Sequence, residues 1–159
     1  MLYNHSMAQA KSVSTSKLIL PSDTEIQIER TFRAPRAAVW RAFTDPKLVP
    51  KWYGPTANSM TRCEIDLRVG GKFLYAWGEH TMPGHFTAVE APGRFSYTDT
   101  GETPSKVTYT FTEDRGVTKV TVLADLGTKP LRDEMLASGW VDGTEACYVF
   151  LEKLLPGLQ

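Results

Sequence analysis

The chain has 159 residues, of which 42% are hydrophobic and 23% are charged, a composition typical of a globular protein with a buried core of ordinary size. Its 18 lysine and arginine residues balance 18 aspartate and glutamate residues, so the formal charge is zero and no basic surface for nucleic acid is predicted. No apolar segment approaches the roughly 18 residues of a membrane span, and the N-terminus lacks the apolar core of a secretion signal, so we expect a cytoplasmic protein with no membrane partner.

The N-terminal residues 1–17 are polar and rich in serine, and they show no apolar periodicity. This pattern predicts a disordered tail, followed by a single domain over residues 18–159. The first regular element is a strand that begins near Thr24, because Ile26 and Ile28 alternate with polar residues.

Two short helices are predicted after this first strand. The first covers residues 35–44 and presents one apolar face to the sheet. The second is a helical turn over residues 45–52. Because Pro50 lies inside this turn and has no N–H to donate, we expect it to be short, kinked or of the three-residue type.

A series of strands separated by turn signals follows. Residues 61–67 and 72–77 alternate on either side of Gly70-Gly71, which predicts a hairpin. Further strands are predicted at residues 84–90, 94–99, 106–113 and 118–126. The chain is therefore predicted to be an α+β protein with one antiparallel sheet of about six to seven strands.

One long amphipathic helix is predicted over residues 130–155, with Pro130 in its first turn and Pro156 after its end. Gly139 and Gly143 each oppose helix formation by about 1 kcal/mol relative to alanine, which indicates either tight packing or open space beside the helix. An antiparallel sheet with one apolar face needs a cover, so we expect the sheet to curve around this helix and leave a cavity.

Short motifs occur in a fixed order along residues 18–155: IERTFRAP at 28–35, VW at 39–40, AFTDP at 42–46, KWYGP at 51–55, CEIDLR at 63–68, GG at 70–71 and SGW at 138–140. They resemble the START-type (SRPBCC) helix-grip superfamily, in the branch described as activator of Hsp-90 ATPase homologue-like or polyketide-cyclase-like. The resemblance implies a helix-grip fold with an internal cavity that binds hydrophobic or amphipathic small molecules. The eukaryotic Hsp-90 activator makes much of its chaperone contact through an additional N-terminal domain, which we do not expect in this chain.

The predicted cavity wall combines aromatic residues of the strands with residues of the long helix, because aromatic rings supply large apolar surfaces with few polar atoms. The same residues would also suit a completely filled core, and the pattern alone does not distinguish the two. The candidate ligand-binding residues are Phe73, Tyr75, Trp77, His85, Tyr97, Tyr109, Phe111, Trp140, Gly143 and Cys147.

No metal or cofactor site is predicted. His80 and His85 flank an expected turn at residues 82–84, and two histidines without further ligands do not make a zinc site. An enzyme would need a buried acid or base, for which His85, Glu79 and Tyr109 are candidates, but no catalytic residue is assigned. Cys63 is expected to be a buried thiol with no disulfide.

The remaining carboxylates and cysteines are given structural roles. Glu64 and Asp66 are predicted to face solvent, whereas Glu90 is placed near the cavity rim together with Glu79. Cys147, on the buried face of the long helix, is expected to be an unreactive packing residue as well as a candidate for the cavity wall.

Three functions stay open from the sequence. A binding protein would have an almost wholly apolar cavity, an enzyme such as a cyclase, dehydratase or hydrolase would have a buried polar group with a shifted pKa, and a co-chaperone-like interaction module would have a filled core and an exposed apolar patch. Edge strands and an exposed Trp52-Tyr53 pair would also permit a homodimer.

Overall fold

Eight antiparallel strands form one sheet in the computed structural model, which describes residues 16–159. They are β1 (Lys17–Ile19), β2 (Glu25–Phe32), β3 (Arg62–Ile65), β4 (Lys72–Trp77), β5 (His80–Glu90), β6 (Arg94–Asp99), β7 (Ser105–Asp114) and β8 (Val117–Asp125). Their order across the sheet is β1-β2-β8-β7-β6-β5-β4-β3, so β3 to β8 form a meander and β2 pairs with its last strand.

The strand that the sequence did not predict is β1. It begins at Lys17, the last residue of the predicted tail, and pairs with β2 through Leu18 and Ile28. The other tail prediction, disorder over residues 1–15, lies outside the described residues.

Within residues 16–159, three α-helices accompany the sheet: α1 (Arg36–Thr44), α2 (Lys129–Ala137) and α3 (Trp140–Leu154). Short 3₁₀ turns lie at Val49–Lys51 and Leu155–Leu158. The two short helices predicted after β2 are confirmed. Pro50 lies at the start of the first 3₁₀ turn, where a backbone N–H has no acceptor within the helix, so proline removes no helical hydrogen bond. Among the described helices, none combines the length and the apolar character that crossing a membrane requires.

The prediction of one continuous helix over residues 130–155 is wrong, because the chain breaks at Gly139. This residue has φ +89°, a left-handed conformation that ends α2 and precedes α3. The helix α2 begins with its own cap, in which the Thr128 hydroxyl accepts a hydrogen bond of 3.3 Å from the Leu131 N–H. The apolar periodicity continues through the break, which is why the pattern alone indicated a single helix.

Alanine substitutions at the two glycines of this region are expected to have opposite effects. A Cβ atom would meet open space at both positions, so the backbone decides the outcome. Gly139→Ala forces a side chain into the left-handed region and should cost about 1 kcal/mol, whereas Gly143→Ala, inside α3, should stabilise the protein by about 0.5–1 kcal/mol. Urea denaturation of the two variants measures both values, and changes of the same sign would contradict this account.

The inner face of the sheet packs against α3. Ile26, Ile28 and Phe32 of β2 are almost completely buried, as is Leu151 of α3. The Phe32 ring meets the ring of Tyr148 edge to face, with centroids 5.3 Å apart, so the first long strand and the last helix share one core. The chain therefore has the helix-grip fold that the resemblance implied.

The turn predicted at residues 82–84 is also wrong. The β4–β5 turn lies earlier, at Gly78-Glu79, where Gly78 has φ +67°. Gly84 lies within β5 opposite Phe73, and a Cβ atom there would collide with the Phe73 ring. Glycine at this position permits a close ring contact and does not mark a turn.

Candidate functional site

A cavity of about 500 Å³ opens between the inner face of the sheet and the first half of α3. This volume lies within the range of small-molecule sites in proteins. The wall is contributed by the segment after the first 3₁₀ turn, the β4–β5 turn, the β6–β7 connection, and the helices α2 and α3. Its aromatic residues are Trp52, Tyr53, Trp77, Tyr97, Tyr109, Trp140 and Tyr148.

The structure brings together half of the candidate residues named from the sequence. Trp77, Tyr97, Tyr109, Trp140 and Cys147 lie in the cavity wall. Their role in ligand binding stays a prediction.

Three aromatic candidates lie in the packed core beside the cavity. Phe73 packs against Tyr97, with ring centroids 4.9 Å apart, and Tyr75 packs against Tyr53 at 5.6 Å. Phe111 is 1% exposed and lies among core rings. The sequence places these residues on the correct face of the sheet, but it does not show where the core ends and the cavity begins.

His85 and Gly143 lie outside the cavity wall. His80 and His85 are five residues apart in one strand, and side chains at odd separations project from opposite faces. His80 therefore reaches the cavity rim, whereas His85 lies beside Lys72 on the other face. Gly143 is exposed and its backbone faces open space, so it neither lines the cavity nor packs closely against another element.

The carboxylates divide between solvent and the cavity rim. Glu64 and Asp66 are exposed, as predicted. Glu79 lies on the cavity rim, whereas Glu90 lies away from it and forms an ion pair of 3.1 Å with Arg94. The prediction for Glu90 is wrong because the rim forms at the other end of β5.

Trp52 and Tyr53 are not an exposed pair. Trp52 is 3% exposed and donates a hydrogen bond of 2.8 Å from its Nε1 to the carbonyl of Ala42. The Tyr53 hydroxyl contacts the sulfur of Met82 at 3.6 Å. Both rings face the cavity, so they do not supply the dimer contact suggested by the sequence.

The buried phenols of the cavity wall differ in their partners. Burial raises the pKa of Tyr53, Tyr97, Tyr109 and Tyr148, and neighbouring phenols raise it further, so all four remain protonated near neutral pH. Tyr53 donates to Met82, and the rings of Tyr97 and Tyr109 lie beside each other with centroids 6.4 Å apart. The Tyr148 hydroxyl has no partner within residues 16–159, although Tyr148 is only 2% exposed.

One carboxylate, Asp99, lies in the wall among these aromatic rings. Its Oδ1 accepts a hydrogen bond of 2.7 Å from the Gly101 N–H, and burial raises the pKa of the carboxyl group above its usual value. Asp99 is two residues beyond Tyr97 in β6, so both side chains lie on the cavity face. This strand alternation is a signal by which the sequence alone would have revealed Asp99.

Tyr148 was also missed from the sequence. It lies eight residues after Trp140, a separation that returns to the same face of a helix, and both residues lie in the wall. Thr144 lies between them on the same face and also contributes to the wall.

Cys147 connects α3 to the segment before β3. Its thiol accepts a hydrogen bond from the Gly54 N–H at 3.4 Å and donates one to the Gly54 carbonyl at 3.3 Å. Burial raises the pKa of Cys147, and it raises the pKa of Cys63 to about 11. Both thiols are free, as predicted, although Cys63 is only half-buried. A raised pKa disfavours the reactive thiolate, so these cysteines act through packing and hydrogen bonding.

The cavity wall is mixed rather than wholly apolar. It combines aromatic rings with phenol hydroxyls, one half-buried carboxylate and the exposed carboxylates of Glu79 and Glu102. The region between sheet and helix is hollow, whereas an interaction module was expected to have a filled core. The arrangement offers hydrogen-bond donors at depth and negative charge towards the opening.

Similar proteins are found by family and by structure. The family model described as Activator of Hsp90 ATPase homolog 1-like protein matches residues 33–156. Among curated proteins, none matches the sequence significantly.

Several solved structures share the fold across most of both chains. A protein from Rhodobacter sphaeroides has a TM-score of 0.83 and 26% identity, covering 91% of this chain and 99% of its own. One from Mycobacterium smegmatis has a TM-score of 0.74 and 26% identity, with coverage of 91% and 99%. A protein from Aeromonas hydrophila described as AHSA1-like has a TM-score of 0.69 and 26% identity, with coverage of 85% and 95%. The chain thus belongs to the family of Activator of Hsp90 ATPase homolog 1-like proteins.

Proposed function

We propose that this protein binds a small amphipathic molecule in the cavity between the sheet and α3. The observation that carries the proposal is the cavity of about 500 Å³ itself, whose wall includes Tyr148, a residue whose buried hydroxyl has no hydrogen-bond partner in the described part of the chain. A buried hydroxyl that makes no hydrogen bond costs about 1–3 kcal/mol, and a ligand oxygen that accepts its proton would remove this cost.

The dimensions and chemistry of the wall support the same conclusion. A volume of about 500 Å³ accommodates a molecule with an apolar body of ten or so carbon atoms. The surrounding rings offer apolar contact, and the buried phenols are held in their donor form by their raised pKa values. A ligand with both an apolar body and a polar acceptor therefore matches the wall better than a pure hydrocarbon.

Removal of the Tyr148 hydroxyl is expected to weaken binding without destabilising the protein. In Tyr148→Phe the ring and its packing remain, but the hydrogen bond to the ligand is lost, so the affinity for decanol should fall about three- to tenfold. The melting temperature should stay the same or rise, because the deleted group has no partner within the described residues. Calorimetric titration and thermal denaturation measure the two effects.

The matched control is Tyr75→Phe, which deletes a phenol hydroxyl outside the cavity wall. We expect the control to bind decanol as the unmodified protein does. Equal loss of affinity in both variants, or a large loss of stability in Tyr148→Phe alone, would overturn the assignment of Tyr148 to the ligand.

A further inference from the structure

In the part of the chain that the structure describes, the cavity wall contains acidic side chains but no lysine or arginine. Glu79, Asp99 and Glu102 are in the wall, whereas no lysine or arginine of the described residues lines it. His80 lies at the rim. The protein as a whole has no net charge, so this negative wall is a local feature.

Asp99 is the innermost of these carboxylates and has no positive partner in the described part of the chain. None of the ion pairs formed within residues 16–159 includes it. The hydrogen bond that its Oδ1 accepts comes from the neutral N–H of Gly101. A half-buried carboxylate without a counter-charge is costly to keep ionised, and a cationic ligand would compensate this cost.

We infer that the ligand is an organic cation, namely an amphipathic amine whose charged nitrogen lies beside Asp99 and which also carries an oxygen that accepts from the Tyr148 hydroxyl. The inference rests on the proposed function, since it assigns a ligand class to the same cavity. The acidic residues are not its only basis, because they line an open cavity with an aromatic wall that also contains the unpartnered Tyr148 hydroxyl.

The rings near Asp99 favour the same charge. Tyr97 lies on the same face of β6 as Asp99, and Tyr53 lies close enough for the Asp99 charge to contribute to its raised pKa. The faces of aromatic rings attract cations, and ammonium groups are commonly held between aromatic side chains and a carboxylate. A carboxylate-bearing ligand would instead meet repulsion from three acidic side chains.

Arg30 is a basic residue close to the wall, because its guanidinium carbon lies 5.9 Å from the centre of the Tyr148 ring. Arg30 is not part of the cavity wall, and its charge is already paired with Glu152 at 3.1 Å. It therefore does not offset the negative charge that an entering ligand meets at Asp99.

The test compares three probes with the same apolar chain: decylamine, decanol and decanoate. Each is titrated by calorimetry at pH 7 into the unmodified protein, Asp99→Asn and Asp23→Asn. Asp23 lies outside the wall, so its variant controls for the change in overall charge. Asp99→Asn keeps an oxygen that can accept from Gly101, and it removes a charge that burial disfavours, so this variant is expected to fold.

Decylamine should bind the unmodified protein about tenfold more tightly than decanol, and decanoate should bind most weakly. Asp99→Asn should remove the preference for the amine while the affinity for decanol stays within about twofold, and Asp23→Asn should keep the preference.

Decanol binding without any preference for the amine overturns the inference but leaves the proposed function standing. Equal loss of the preference in both variants also overturns the inference alone, because the effect would then follow overall charge and not Asp99. Absence of saturable binding for all three probes overturns both proposals.

Discussion

Thr144→Phe is expected to abolish ligand binding while the protein remains folded. Thr144 lies in the wall one helical turn after Trp140, so a phenylalanine at this position extends its ring into the space that the ligand would occupy. The cavity provides room for the ring in the absence of ligand, which limits the cost of the substitution to folding. The affinity for decanol should fall by at least about 100-fold, measured by calorimetric titration.

The matched control for this variant is Gly143→Phe. It introduces the same ring at the adjacent position of α3, where the backbone is exposed and a Cβ atom meets open space. Binding of decanol should be unchanged. Gly143→Leu should also leave binding unchanged, although it would block the cavity if Gly143 lay in the wall as the sequence predicted. If Thr144→Phe folds and still binds decanol normally, the cavity is not the binding site. Thr144→Leu provides a smaller blocking side chain if the phenylalanine variant does not fold.

Removal of the negative charge at Glu152 is expected to destabilise the protein strongly. Glu152 pairs with Arg30, whose side chain is 2% exposed and whose Nε and Nη1 have no partner in residues 16–159. Glu152→Gln leaves this buried cation without a counter-charge. Because Glu152 is itself 43% exposed, we expect a loss of about 2 kcal/mol, less than for a fully buried pair. Urea denaturation measures this loss.

The companion variant Arg30→Met should be much less harmful. The methionine side chain fills similar space between the rings of Phe32 and Tyr148, and Glu152 becomes an ordinary solvated carboxylate. We expect a change of less than about 1 kcal/mol, and Glu152→Gln added to Arg30→Met should have almost no further effect. A larger loss in Arg30→Met than in Glu152→Gln would contradict the view that Glu152 chiefly compensates a buried charge.

The strands and their inward faces follow from residue alternation, which is a local property of the sequence. Ile26 and Ile28 alternate with polar residues, and the structure buries both. The break at Gly139 was not predicted because it depends on one backbone torsion, whereas the apolar periodicity is the same on both sides. The sequence correctly marked Gly139 as unfavourable in a helix, but it did not distinguish a break from a packing contact.

The cavity was harder to predict than the fold. Trp77 and Phe73 belong to the same face of β4, yet only Trp77 reaches the wall, because the boundary between filled core and hollow depends on how α3 lies across the sheet. His85 was misplaced because a turn was expected beside it, whereas it lies within β5 on the face opposite His80. Asp99 was accessible to an alternation argument along β6, because it lies two residues beyond Tyr97, which was named for its aromatic ring.

The most direct test of ligand binding in the cavity uses the indole N–H signals of the four tryptophans in an NMR titration with decanol. Trp52, Trp77 and Trp140 lie in the wall, whereas Trp40 lies in the core between Phe95 and Phe111 and serves as an internal control. We predict that the three wall signals shift with one common saturation curve while the Trp40 signal stays in place. Wall signals that do not move, or a Trp40 signal that moves as far as they do, would contradict ligand binding in this cavity.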